Sequence, residues 1–229
     1  MPEKFKLYDR DYELADLDSD EMSYFNQQLE TLFGTDDSVE RQIIMDRKDW
    51  ILAAVRAVKA AIPQHPTFKG VNAGDTELGF SPIRPVHTKR GDGVGATRDT
   101  WDHAVSAETW ADWLCSSTGN VGYLLDKRMG QIILYLKSYL SPTPLASEVQ
   151  FSIGRTKFLP YDFRSMRLGD NKHGMAIYPL PTMFVMPSTD QLFADLFADV
   201  AGTENLALGG LSIGLGAFLK ETTSVTWQT

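Results

Sequence analysis

The sequence predicts a mainly β fold, a single jelly-roll barrel or sandwich with a helical N-terminal segment and inserted helical decorations. Three observations predict it. Past Gly130 the chain breaks into short β-rich runs, Pro and Gly corners separate those runs, and helical periodicity is concentrated before Pro63. The division that follows is an acidic, partly helical N-terminal arm over 1–62 and a β domain over 63–229 that opens with a long loop over 63–102.

Taking the elements in order, Asp18 and Glu21 have capping-box spacing, and Met22, Phe25, Leu29, Leu32 and Phe33 follow on one helical face up to Gly34. Asp37 with Glu40 repeats the signal ahead of Val39, Ile43, Ile44, Trp50, Ile51, Val55, Val58 and Ile62. This predicts a helix over 38–62 stopped by Pro63, with QIIM as an alternative short strand. From Pro63 to about Asp102 periodicity gives way to Gly, Pro, Thr and Asp, as in TKRGDGVGATRDT, and a loop that long is usually functional or a contact surface. Ser106 reads as the cap of a short helix carrying Trp110, Trp113 and Leu114, with both indoles on one side.

Residues 132–140, IILYLKSYL, and the alternating Val149, Phe151 and Ile153 of VQFSIG read as strands. MAIYPLPTMFVMP, at 175–187, is extended but broken by Pro179 and Pro181, which fits an edge strand or a bulged corner. Ser188 with Gln191 reads as a further capping box, opening a helix with Leu192, Phe193, Leu196, Phe197 and Val200. In LALGGLSIGLGAFLK, Leu211, Ile213, Leu215, Ala217 and Leu219 face one way and Ser212, Gly214 and Gly216 the other. A strand with one bare face lets another backbone or sheet approach closely, or bends at a barrel corner, and on this strand rests the expectation that the protein is oligomeric. TTSVTW reads as a last short strand, and no repeat of fixed period is present.

A chain of 229 residues is long enough to bury roughly 70% of its unfolded surface. Its 43% hydrophobic and 23% charged residues are ordinary globular values, which excludes disorder. Cys115 is the only cysteine, so stability must come from packing or assembly rather than from an internal disulfide. The N-terminus has no apolar core of the signal-peptide kind and no run is long enough to span a bilayer, so neither secretion by that route nor membrane anchoring is expected. The net charge of −8 is uneven: the first 40 residues hold twelve acids and three bases, the remainder eighteen and nineteen. An acidic start and the absence of a dense basic stripe exclude direct nucleic-acid binding as the main role.

No motif supports catalysis, a metal or a nucleotide. Gly210-Leu211-Ser212-Ile213-Gly214 matches a nucleophile elbow, but no histidine follows Ser212 and the strand alternation runs through it. Asp16, Asp18 and Asp20 open like a calcium loop, with Glu21 where a glycine is needed and Gln27 where a glutamate is needed. Gly91, Gly93 and Gly95 lack the GK[ST] ending of a phosphate loop, and Arg90-Gly91-Asp92 carries no weight alone. His65, His87, His103 and His173 are scattered, which removes a metal-dependent cupin. Arg155, Lys157, Arg164, Arg167 and Lys172, tempered by Asp162 and Asp170, read as a solvated face, with inter-subunit ion pairs as the sharper alternative. The expectation is therefore no catalytic, cofactor-binding or metal residue, and no cofactor.

The stretches IILYLKSYLSPTPLASEVQFSIGRTKFLP, AIYPLPTMFVMP and LALGGLSIGLGAFLKETTSVTW resemble a viral capsid jelly roll. With the chain length and acidic start, the whole is similar to the larger of the two small major capsid proteins of icosahedral, internal-membrane viruses of halophilic archaea, the sphaerolipovirus type. That resemblance implies an upright single β-barrel, capsomers built from copies of this chain and a second related coat protein, proximity to an internal membrane, a place in the virion after synthesis in the host cytoplasm, and no catalysis. The near-neutral body departs from the pervasive acidity of proteins in molar salt. The rival reading is a β-sandwich carbohydrate- or peptide-binding module with Trp101, Trp110 and Trp113 as its platform; buried indoles would favour assembly, exposed coplanar ones the platform. An enzyme built on Asp99, Asp102 and His103 ranks last.

Overall fold

In the computed structural model, which describes residues 3–8, 10–33, 38–88, 101–114, 123–124, 128–138, 143–166, 168–170, 175–187 and 191–220, the apolar stripes of the N-terminal helices are covered by a β-sheet whose other face packs on a second sheet. The chain begins with a hairpin, β1 (Lys4–Leu7) and β2 (Arg10–Glu13), then α1 (Ser19–Phe33), α2 (Val39–Met45) and α3 (Lys48–Ala61). There follow β3 (Phe68–Gly70), β4 (Leu78–Pro82), a 3-10 turn (Pro85–Thr88), β5 (His103–Val105), β6 (Thr109–Leu114), β7 (Tyr123–Leu124), β8 (Met129–Ser138) and β9 (Ala146–Ile153). The last part holds β10 (Thr156–Lys157), β11 (Tyr161–Asp162), a 3-10 turn (Arg164–Met166), β12 (Leu168–Asp170), β13 (Met175–Met186), β14 (Gln191–Ala198), β15 (Gly202–Glu204), β16 (Leu206–Leu215) and α4 (Gly216–Lys220). The protein is mainly β, with several sheets arranged consistently with a β-sandwich.

The middle sheet has the order β12-β13-β8-β16-β4-β3 and the outer sheet the order β10-β9-β14-β6, with β11 also on β9 and β7 on β14. Pairing is nested along the chain: β4 with β16, β6 with β14, β8 with β13, and β9 with β10 and β11, all antiparallel.

The sequence pattern explains which sheet lies where. Strands β8 and β16 are buried on both faces, as their nearly continuous apolar runs require of a sheet between two layers. Strands β9 and β14 alternate buried and half-buried residues, the mark of a sheet with one open face. Between the sheets, Trp113, Phe151, Leu192 and Leu196 meet Ile133, Tyr178, Phe184 and Leu208. Outside the middle sheet, Phe25, Leu29, Ile51, Val55 and Val58 pack on Phe68, Phe80, Ile132 and Leu211. Helices α1, α2 and α3 thus form a layer of the fold and share a core with the middle sheet.

The capping box of α1 forms as its spacing predicts: the Glu21 N–H donates to Asp18 Oδ1 at 2.9 Å and the Asp18 N–H to Glu21 Oε2 at 3.0 Å. Glu21 is also buried at 2% exposure, where it accepts from Lys59 Nζ at 2.7 Å and from the Phe68 N–H at 2.7 Å, so one carboxylate latches α1, α3 and β3 together.

Several expectations are corrected. The single helix over 38–62 is two, broken at Asp46 and Arg47; QIIM is helical, and Ser38 caps α2 by accepting from the Arg41 N–H. The loop over 63–102 contains β3 and β4, which complete the middle sheet. The segment with Trp110 and Trp113 is strand β6, not a helix, so Trp113 points into the core and Trp110 to the outside. The expected helix after Ser188 is strand β14: Leu192, Ala194, Leu196 and Ala198 face inward, and the strand pairs with both β9 and β6. Non-local pairing on both edges overrides a helical spacing that Leu192, Leu196 and their phenylalanine neighbours satisfy equally well. Past Leu215 the chain turns into α4, so Ala217 and Leu219 do not continue the strand.

The bare face of β16 is covered within the chain. A Cβ on Gly214 would lie 2.8 Å from the Arg128 carbonyl oxygen, one on Gly216, at the start of α4, 2.2 Å from the Gly74 carbonyl oxygen, and one on Gly209 1.9 Å from the Tyr135 ring, and β16 lies between β8 and β4. The glycines therefore serve close intramolecular packing, and the strand offers no edge to a second chain. Strand β13 carries a register shift between Pro179 and Phe184, as its prolines suggest, and β12 covers only its first three residues. TTSVTW, Gly34, Asp37, Ser188, Cys115 and the loop glycines Gly91, Gly93 and Gly95, with Arg90 and Asp92, lie outside the described residues.

Candidate functional site

The helical layer covers the middle sheet, and no described element covers the outward face of the second sheet. Strand alternation dictates what that face presents: Phe193, Asp195 and Phe197 from β14, Glu148, Gln150 and Ser152 from β9, and Trp110 and Asp112 from β6. Registration places Phe197 between Glu148 and Trp110, and Asp195 between Gln150 and Asp112. The Trp110 and Phe197 rings lie 5.6 Å apart and tilted, with Trp110 43% exposed.

Asp112 and Asp195 are direct cross-strand partners, an arrangement that places like charges opposite one another. Burial, then the Asp112 charge and a hydrogen bond between the two carboxyls, push Asp195 up to about 6, against the opposing pull of Lys157. Asp195 Oδ1 is buried without a hydrogen-bond partner among the described residues. Such a pair takes up its first proton as pH falls through about 6. Among the described residues no group of three or more His, Cys, Asp or Glu side chains could hold a metal.

The candidates weighed from sequence fall apart in space. Ser212 is buried in mid-strand, away from any strand-to-helix turn, and its Oγ accepts from Gln131 Nε2 at 3.3 Å. Gln131 Nε2 also donates to the His87 carbonyl at 3.1 Å. His87 is 1% exposed beside the Arg84 guanidinium, and burial followed by that charge lowers it to about 4, so it is neutral at physiological pH. Arg84 in turn donates to the Leu219 carbonyl, tying α4 to the middle sheet. His65 is exposed at the foot of α3, His103 lies in β5, and His173 lies outside the described residues. Asp102 accepts from Asn205, and Asp99 lies outside the described residues, so nothing described joins it to Asp102 and His103. Asp18 caps α1 and Asp16 pairs with Arg56 at 3.3 Å, while Asp20 is exposed.

Of the tryptophans, Trp101 and Trp113 are 8% and 1% exposed, with ring centres 6.5 Å apart, and belong to the inter-sheet core. In the basic stretch Arg164 pairs with Asp199 of the same chain, and the side chains of Arg167, Asp170 and Lys172 lie outside the described ones. Sequence reasoning missed the Asp112–Asp195 pair because both segments read as helix. The signal was present: in each, an aspartate interrupts an aromatic row at alternate positions, Trp110-Asp112 and Phe193-Asp195-Phe197. No family model, curated protein or solved structure matches this chain.

Proposed function

We propose that this chain is a structural virion protein, a coat subunit that associates with copies of itself and with a second, related coat protein in the capsomers of an icosahedral shell. The observation that carries the reading is the nested pairing of β4 with β16, β6 with β14, β8 with β13, and β9 with β10 and β11. First-with-last nesting across two sheets is the pairing expected of a double Greek key rolled into a jelly roll, the architecture of many capsid domains, and supports that reading. Lectins and cupins use the same architecture, so the fold alone does not select among them. Chemistry favours the coat. The histidines described stand apart, against a metal-dependent cupin, and two of the three tryptophans are built into the core, against a broad aromatic platform.

The uncovered outward sheet face, with Trp110, Phe193 and Phe197 among carboxylates, supports lateral contact between subunits. The upright stance, proximity to an internal membrane and location in the virion follow from the resemblance to internal-membrane coat proteins, and the lack of direct contact with nucleic acid rests on the acidic start and the absence of a dense basic stripe. Trp110 stacked near Phe197 is the one observation favouring a second reading, a carbohydrate- or peptide-binding sandwich.

Negative-stain electron microscopy with light scattering, on native source material, tests the proposal. Shells or capsomer-sized rings are expected. A stable monomer at high concentration across a range of salt, with no larger native particle, would refute it. Trp110→Ala separates the two readings, because it weakens particle formation in the first and glycan or peptide binding in the second.

A further inference from the structure

Antiparallel register fixes which charges share the outward face of the outer sheet. Asp112 lies opposite Asp195 across β6 and β14, and Asp162 lies opposite Glu148 across β11 and β9. Phe197 is registered between Glu148 and Trp110, so both acidic pairs border an aromatic couple whose Trp110 is 43% exposed. Like charges directly opposite one another destabilise a sheet, and this one face carries two such pairs. Positive charge is placed at the other end of the face. Lys157 is registered with Ser152, and Arg155 is exposed at the tip of the turn that Gly154, with φ +57°, opens between β9 and β10.

Among the described residues Asp112, Asp195, Glu148 and Asp162 form no ion pair, and neither does Arg155. Lys157 pulls on Asp195, but burial and the Asp112 charge outweigh it. Ser152, the partner of Lys157, is about 14 Å along β9 from Glu148 at roughly 3.4 Å per residue, farther than the screening length of about 8 Å at physiological ionic strength. The basic end of the face therefore leaves the Glu148–Asp162 pair uncompensated within the chain. Turned end for end, a second copy presents its Arg155 and Lys157 to these acids and receives those of the first on its own. This is the reciprocal matching of a two-fold interface. We infer that two copies of this chain dock face to face through the outer sheet, with Arg155 and Lys157 of each seated on the carboxylates of the other. Arg155 suits the place, because a guanidinium forks onto carboxylates and stacks on an exposed indole, which Trp110 provides. Phe193 and Phe197 add apolar area between the charged ends, where an interface core needs it. The inference rests on the coat reading for its partner, a second copy, and specifies the contact.

The test uses the purified full chain at pH 7, with sedimentation equilibrium reading dimer formation. Asp112→Arg and Arg155→Asp each weaken dimerisation at least tenfold. An equimolar mixture of the two variants regains it, because each mixed pair has one wild-type contact and one with its charges exchanged. Arg155 is exposed at a turn tip and Asp112→Arg removes a repulsion, so both variants keep the wild-type urea midpoint or exceed it. Lys157→Glu, at an exposed position on β10, gives a second loss that does not depend on substituting β6. A wild type that is monomeric at every concentration overturns the inference and leaves the face to the second coat protein. Dimers that the variants leave unchanged also overturn it, while shells in native material would still uphold the coat reading. Variant-sensitive dimers without shells would uphold the contact and refute the coat.

Discussion

Replacing Glu21 with glutamine leaves the shape of α1 intact and removes one charge from a pair that has almost no access to water. The side chains of Glu21 and Lys59 are 3% and 9% exposed, their nearest oxygen and nitrogen are 2.7 Å apart, and Glu21 also accepts the Asp18 and Phe68 N–H groups. In Glu21→Gln the amide oxygen still accepts one hydrogen bond, but the Lys59 ammonium loses its one described anionic partner and is left with neutral acceptors, that amide and the Asp16 carbonyl at 3.1 Å. Breaking a buried pair by removing one member costs about 3–5 kcal/mol, which for a chain of this length lowers Tm by about 6–20 °C. Glu21→Met with Lys59→Met removes both charges and recovers most of that loss, because the desolvation cost goes with them.

The sign with pH follows from the Glu21 carboxyl. Burial pushes it up, but Lys59 and the Phe68 and Asp18 N–H groups outweigh burial and hold it below its ordinary 4.5. Its contribution is therefore present above that value and is lost as pH falls through the lower folded value. Differential scanning calorimetry of the two single variants and the double variant, at pH 7 and in acid, measures the cycle. A Glu21→Gln loss below about 1 kcal/mol, or a double variant no better than the single ones, would refute the latch.

Asp195→Asn removes the repulsion with Asp112. Because the folded value of Asp195 is raised to about 6 from 3.8, wild-type stability falls as pH rises through that window, and the variant gains roughly 1–2 kcal/mol at pH 8, less than the about 3 of the full shift because the face is open to solvent. Urea unfolding at pH 5 and pH 8 measures it, and equal gains at both would exclude the shared proton. Gly210→Ala sets a Cβ 1.9 Å from the Ile132 carbonyl oxygen at φ +145°, so a loss of about 2 kcal/mol or more is expected in the same assay. Trp113→Ala costs about 3–5 kcal/mol as a cavity in the inter-sheet core, while Trp110→Ala costs about 1 kcal/mol or less and lowers, without abolishing, the acrylamide-quenchable tryptophan fluorescence, since Trp50 is also 43% exposed.

The elements read correctly from sequence are those whose determinants are local. The Asp18–Glu21 box starts α1, Pro63 ends the helical run, and Ala146–Ile153 alternates as a half-buried strand must. Those misread depend on distant partners. Thr109–Leu114 and Gln191–Ala198 have apolar residues at spacings that satisfy a helix and a strand alike, and each becomes a strand because the other is its neighbour in the outer sheet. Leu78–Pro82, five residues with a glycine and a closing proline, is too short to show its period, yet it lies directly beside β16.

By itself the sequence determined a mainly β chain, the start of its first helix and the positions of its longest strands, since these follow from capping residues and from side-chain polarity along a short repeat. Tertiary structure alone decided that the helices form a third layer, that the glycines of β16 accommodate Tyr135 rather than a neighbouring chain, and that Asp112 meets Asp195. Each of those outcomes joins residues far apart in the chain, where no local spacing records the charge or surface each will meet.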